Sequence, residues 1–174
     1  PASVDMARLK SEYLYQTQRN QDQFELWYIK NLGRILRLGS HFPAVFNFFQ
    51  NNTVVMKTAG IHRKMPILQK DTLTSWWYKN KKFKNTHNTT IWVLNDIFTE
   101  YYDADMGKEL LLFLEACNVN IRLVPYKRSI VAMISKGLLV ESKEELEDIR
   151  VALGAVSEND FIVGIEPSEA IVWR

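Results

Sequence analysis

Cysteine is almost absent from this sequence of 174 residues, in which Cys117 is the only one. A single thiol excludes a disulfide framework within the chain, and it excludes any metal site that takes two or more thiolates from this chain. An isolated cysteine usually behaves as a small apolar residue. The surrounding segment LEACNV therefore predicts that Cys117 is buried.

Long apolar runs and a strong net charge are also missing from the sequence. No run of about 18 apolar residues occurs, so no membrane span is expected, and the segment PASVDMARLK lacks the apolar region of a signal peptide. The net charge of +2 is too small to indicate a nucleic-acid partner. With 47% hydrophobic residues, the chain can form one ordinary core.

The first 60 residues are predicted to be a helical segment. Asp5 can cap a first helix, Pro43 interrupts the second and Gly60 ends the last. The apolar positions at helical spacing are Met6, Leu9, Tyr13, Leu26, Ile29, Leu32, Leu36 and Phe42. Because these helices are amphipathic, they need a surface to pack against.

Residues 61–88 are predicted to connect this segment to the rest of the chain. The stretch has no clear period, and it combines aromatic residues with four lysines, at positions 79, 81, 82 and 84. Such a mixture can bind single-stranded nucleic acid. We favour a surface connector whose tryptophans pack on the core, because acidic residues elsewhere offset the lysines.

Residues 89–174 are predicted to form a small α/β module. Short apolar strands are expected at 89–96, 119–125 and 160–166, and helices at 106–117, 129–137 and 142–156. Asp105 is the predicted cap of the first of these helices, and Ser142 with Glu145 forms a predicted capping box on the last. Alternating strands and helices are typical of a parallel, Rossmann-like βαβ sheet covered on both faces. The predicted fold class is therefore α/β, with a helical first half.

The predicted strands all end in polar turns. These are Asn95-Asp96, the turn from 125 to 128, and the turn from 166 to 169. Ligands of such sheets bind at the carboxyl ends of the strands, although polar turns also occur there simply as helix caps. The first turn has no glycine, which argues against a nucleotide-binding Rossmann domain. The sequence also lacks the G-x-S-x-G motif of many serine hydrolases, which argues against that class.

Several segments resemble one family. The start, PASVDMARLKSEYLYQ, is similar to the residues that follow the last cysteine of a ferredoxin-type motif. The segments that resemble the family further along are AGIHRKMP with TLTSWW, LNDIFTEYYDADMGKELLLFLEACNV, ISKGLL and IVGIEPS. The family is that of the large FAD-linked oxidases of the D-lactate or glycolate dehydrogenase type, which join an FAD domain to an iron–sulfur region with CCG repeats.

The resemblance also shows where this chain departs from the family. The family has Cys-Cys-Gly-Arg where this chain has Arg128-Ser129 and the two residues after them, and Glu-Pro-Ser-Cys where it has Glu166 to Glu169. The implied cofactor-side positions are thus Arg128, Ser129, Ser168 and Glu169. Oxygen groups are poor replacements for the thiolates that hold iron–sulfur clusters, so we expect no cluster, no metal and no catalytic residue in this chain.

The resemblance implies a longer parent protein, with both ends of this chain as internal boundaries. FAD and [4Fe–4S] clusters would belong to domains upstream, and these domains would be the partners of this module. The parent would oxidise a 2-hydroxy acid in the cytoplasm or peripherally at the inner membrane. A second hypothesis is a non-catalytic binding or scaffold module that holds an anion with Lys127, Arg128 and Ser129.

Overall fold

The computed structural model describes residues 5–58, 63–81, 89–154 and 156–173, and within them the fold is α/β. The α-helices of these residues are α1 (Met6–Gln16), α2 (Gln23–Gly39), α3 (Pro43–Gln50), α4 (Thr53–Thr58), α5 (Leu73–Asn80), α6 (Ile97–Tyr101), α7 (Ala104–Ala116), α8 (Ile130–Ser135), α9 (Leu139–Ala152) and α10 (Pro167–Ala170). The strands are β1 (Thr90–Asn95), β2 (Asn120–Pro125) and β3 (Phe161–Gly164). No helix among the described residues is long and apolar enough to span a membrane.

The helical first half begins as the sequence predicts. The Asp5 carboxylate accepts hydrogen bonds from the N–H groups of Ala7 and Arg8, and Asp22 caps α2 in the same way. Such caps satisfy backbone donors that have no partner within the helix. Pro43 occupies the first turn of α3, where its missing N–H costs nothing.

The apolar stripes of these helices point in two directions. In α2 the leucines at 26, 32 and 36 are buried. In α1, by contrast, the predicted stripe of Met6, Leu9 and Tyr13 is exposed. Because the inner side of α1 is the one that carries buried Ser11, most of the apolar surface of α1 is not used for packing within this structure.

The sheet is parallel, with the strand order β2-β1-β3. The register places Asn95 opposite Pro125 on one side of β1, and Leu94 opposite Gly164 on the other. The chain leaves β1 toward one neighbour and later crosses to the other side of β1. The strand β1 is therefore the centre of the sheet, and the strand order reverses beside it.

Helices pack on both faces of the central strand β1, whereas Phe161 and Ile162 of β3 are exposed. On one face Trp92 and Leu94 pack with residues of α2, α8 and α9, including Leu36 and Ile149. On the other face Val93 packs with residues of α5 and α7. Side chains of successive strand residues point to opposite faces, so β1 contributes to both clusters.

Several sequence predictions need correction. Helix α7 begins before Asp105, and Asp105 lies in its first turn, where its carboxylate accepts a hydrogen bond from Lys108. Helix α9 begins at Leu139, so Ser142 is inside the helix and buried, and its hydroxyl donates to the Leu138 carbonyl. The predicted caps at Asp105 and Ser142 are therefore wrong.

Other differences concern side-chain position. Cys117 is exposed, because it follows the last turn of α7 at the surface. Within the predicted connector, α5 forms a helix that buries Trp77. Phe42 is exposed beyond the end of α2. Gly60 and two of the four lysines, at positions 82 and 84, lie outside the described residues.

Candidate functional site

The carboxyl ends of the three strands meet at one edge of the sheet. This follows from the parallel register, which aligns the last residues of β1, β2 and β3. The turns that the sequence singled out after Asn95, Pro125 and Gly164 are consequently neighbours. We refer to this group of turns as the strand-end site.

Two of the four predicted cofactor-side residues are in direct contact in the strand-end site. The hydroxyl of Ser129, which caps α8, donates a hydrogen bond to the carboxylate of Glu169 in α10. Both residues are almost fully buried, with exposed fractions of 2% and 3%. The contact joins the turn after β2 to the turn after β3, which are 40 residues apart in the chain.

The Glu169 carboxylate also supports the first turn of α8. It lies 3.4 Å from the N–H of Val131, while the Ser129 hydroxyl oxygen accepts from the N–H of Ala132 at 3.1 Å. Burial raises the pKa of Glu169 above its usual value, and the nearby Asp96 carboxylate acts in the same direction. The hydrogen bond from Ser129 opposes this shift without cancelling it.

The third predicted residue, Arg128, points toward α9 instead. Its guanidinium donates to Glu145 at 2.9 Å and to Glu144 at 3.2 Å. The neighbouring Lys127 ammonium pairs with Asp148 at 2.8 Å. Both cations of this turn are therefore paired with carboxylates of the same chain.

Glu145 is a buried carboxylate whose role the sequence did not indicate. In place of a capping box, it accepts the backbone N–H of Lys127 at 2.6 Å together with the Arg128 guanidinium. Its side chain is 1% exposed. Burying a charge is costly unless it is paired and hydrogen-bonded, so this carboxylate is stable only with the turn after β2 in place.

The fourth predicted residue, Ser168, is separate from this cluster. It is exposed, and both its N–H and its hydroxyl donate to Glu166, the cap of the short helix α10. Ser168 thus shapes the turn, and Glu169 is the residue of this turn that faces inward.

Buried acids after β1 complete the strand-end site. Asp96 accepts hydrogen bonds from Phe98 N–H and from the N–H and hydroxyl of Thr99, and so caps α6. Glu100 accepts from Asn95 and from Thr74 of α5. The pattern N-D-x-x-T indicates the cap in the sequence, whereas the contact with α5 is tertiary and has no local signal.

A hydrogen bond between Trp173 and Tyr126 lies beside the turn after β2. The indole N–H of Trp173 donates to the hydroxyl of Tyr126 at 2.9 Å, which ties the last described residues to the turn after β2. Burial raises the pKa of Tyr126 to about 12. This phenol is therefore neutral at physiological pH.

The donor groups of the strand-end site do not fit an iron–sulfur cluster. The inward-facing positions carry a hydroxyl and carboxylates, which are hard oxygen ligands, while clusters are held mainly by thiolates. Cys117 precedes the first residue of β2 and therefore lies at the opposite edge of the sheet. In the described parts of the chain, no group of three or more histidine, cysteine or acidic residues is placed to hold a metal ion.

Comparisons of the chain with family models, with curated proteins and with solved structures found no match. The family resemblance therefore depends on the sequence segments alone.

Proposed function

We propose that this chain is a structural module of an FAD-linked oxidoreductase, associated with its electron-transfer region and without a cluster of its own. The parent would oxidise a 2-hydroxy acid, and its flavin and iron–sulfur clusters would lie in domains upstream of residue 1. The module itself performs no catalysis in this proposal.

The contact between Ser129 and Glu169 carries the proposal. In the resembled family both turns contain cysteines, and cysteines that hold one cluster must converge. Here the two matching turns also converge, because each follows a strand of the same parallel sheet. The ends of parallel strands meet at one edge in any such sheet, so the support lies in the direct contact between the two side chains that match the family's cysteine turns. In this proposal, the hydrogen bond between Ser129 and Glu169 joins the two turns in the place of a cluster.

The exposed apolar helices give further support. Met6, Leu9 and Tyr13 form an outward stripe on α1 at spacings of three and four residues, and α3 exposes Phe48 and Phe49. Large exposed apolar patches often mark interaction surfaces. Domains of the parent protein that pack on α1 and α3 would cover these side chains.

The alternative of an anion-binding module has less support. It relies on Lys127, Arg128 and Ser129, and in this structure each of these side chains is bound to a carboxylate. An anion would have to displace one of these carboxylates, two of which belong to buried residues, Glu145 and Glu169.

Iron and sulfide analysis tests the absence of a cluster. The purified chain would be incubated anaerobically with ferrous iron and sulfide, desalted and measured, with a ferredoxin treated in parallel as the positive control. We expect only trace iron and no iron–sulfur absorption in the chain. Stoichiometric iron and sulfide that survive desalting would show that a cluster binds, and this part of the proposal would be wrong.

A further inference from the structure

A groove of about 800 Å³ runs along the outer edge of β2. In the part of the chain that the structure describes, β2 pairs with β1 on one side only. Every residue from 119 to 125 lines the groove, a length of roughly 20 Å at about 3.3 Å per residue. The groove is thus as long as the strand and follows its backbone.

The backbone of β2 presents hydrogen-bonding groups to this groove. The N–H of Tyr126 donates to the Asn95 carbonyl at 2.8 Å, which shows that even-numbered residues of this segment turn their backbone groups toward β1. By alternation, Ile121 and Leu123 direct their N–H and C=O groups into the groove. Pro125, which has no N–H, also falls on the outer side, where a proline is tolerated.

Helices form a wall on each side of the open edge. Trp77 and Tyr78 of α5 line one wall, and Asp148 and Ala152 of α9 line the other. The open edge is recessed between these walls. An extended chain beside β2 would lie between these two helices.

Arg122 indicates the charge of the occupant. Its side chain is exposed, and its guanidinium lies 4.9 Å from the ring centre of Trp92. It takes part in none of the ion pairs found among the described residues. At the end of the groove, by contrast, Lys127 and Asp148 neutralise each other. An acidic side chain would therefore find its partner at Arg122.

We infer that this groove binds an extended, acidic peptide segment of a partner protein, which adds to the sheet as a strand beside β2 and places a carboxylate on Arg122. Strand addition is an established way for an exposed sheet edge to hold a peptide. A second copy of the same strand is a poorer occupant, because the sequence NIRLVP carries no carboxylate to pair with Arg122. This inference goes beyond the proposed function and does not depend on it.

Fluorescence anisotropy with the whole chain tests the inference. The probe is a short labelled peptide of alternating valine and threonine with a central glutamate, compared with the same peptide carrying lysine. We expect the glutamate peptide to bind more tightly. Arg122→Glu should weaken its binding about 10-fold or more, as for a lost hydrogen bond to a charged group, and should favour the lysine peptide instead. Arg19→Glu, an exposed arginine that does not line the groove, is the matched control.

Amide hydrogen exchange provides a second measurement that needs no variant. Strand addition should slow exchange at Ile121 and Leu123, while Arg122 and Val124, whose amides face β1, should change little. The inference would be overturned if the glutamate peptide did not bind or if both peptides bound equally. It would also be overturned if the peptide slowed exchange at Arg122 and Val124 as much as at Ile121 and Leu123. So would slow exchange at Ile121 and Leu123 that depends on protein concentration without peptide, since a second copy would then be the occupant.

Discussion

At the scale of single residues, the buried Ser129–Glu169 hydrogen bond holds the turn after β2 against the turn after β3. The two side chains are buried, hydrogen-bonded to each other and aligned with the first turn of α8. A buried carboxyl group is costly unless its hydrogen bonds are made. The pair thus fixes the distance between the turn after β2 and the turn after β3.

The raised pKa of Glu169 predicts a specific pH dependence. Because the folded state binds this proton more tightly than the unfolded state, the contribution to stability is complete below about pH 4.5 and is lost as pH rises through the folded-state pKa. Glutamine mimics the protonated form and does not titrate. The Tm of Glu169→Gln should therefore increase relative to the unsubstituted chain as the pH rises above about 4.5, as measured by thermal denaturation.

Glu158→Gln is the matched control, because Glu158 is exposed. Its Tm should follow that of the unsubstituted chain at every pH. A Tm difference for Glu169→Gln that stays constant or decreases with pH would contradict the assignment of Glu169 as a buried carboxyl group that favours its protonated form.

The residue scale is also where prediction from sequence was least complete. The turns that contain Ser129 and Glu169 could be identified from their place after apolar strands. The contacts of Arg128 and Glu145 could not, because they join residues 17 positions apart across two elements. The pattern of Ser142 and Glu145 matches a capping box, but helix α9 starts before Ser142. Ser142 instead bonds the Leu138 carbonyl within the helix, and Glu145 bonds the turn after β2.

At the scale of elements, the close approach of α2 to the turn after β2 positions the strand-end site. Gly33 lies in the middle of α2, and a Cβ added there would overlap the backbone carbonyl oxygen of Lys127. Only a residue without a side chain allows this distance. The glycine therefore brings α2 against the turn that carries Lys127 and Arg128.

Gly33→Ala tests this packing. A rigid backbone carbonyl cannot move as a flexible side chain can, so the added methyl group should force α2 away and destabilise the fold by about 1–3 kcal/mol, the usual cost of overpacking. Urea denaturation measures the change. Gly154→Ala is the comparison variant. A Cβ there would lie 3.1 Å from the Val151 carbonyl oxygen, a tight contact but far less severe than the overlap at Gly33. Equal stability of the two variants would show that α2 does not rest on this turn.

The elements themselves were predicted unevenly from the sequence. The three strands were found within about two residues at each end, because short apolar runs bounded by polar turns are a local signal. The helix α5 was missed, since its eight residues mix aromatic, polar and basic side chains without a clear apolar period. Its position depends on Trp77 and Leu73 packing against α7, which is a tertiary contact.

At the scale of the whole molecule, large apolar side chains are exposed in both halves of the described chain. Helices α1, α2 and α3 expose Met6, Phe24 and Phe48. The α/β half exposes Leu112, Phe113 and Phe161. Sequence periodicity located the apolar stripe of α1 but not its direction. Direction depends on what the helix packs against, and in the proposed function that surface belongs to the preceding domains.

Sequencing the genomic DNA on both sides of this segment tests the central claim most directly. The proposal predicts an upstream reading frame, continuous with residue 1, that encodes an FAD domain followed by a ferredoxin-type cysteine motif whose last cysteine directly precedes Pro1. A start codon at or near Pro1 together with a stop codon after Arg174 would contradict it. The chain would then be a free-standing protein, and its resemblance to the oxidases would not extend to their function.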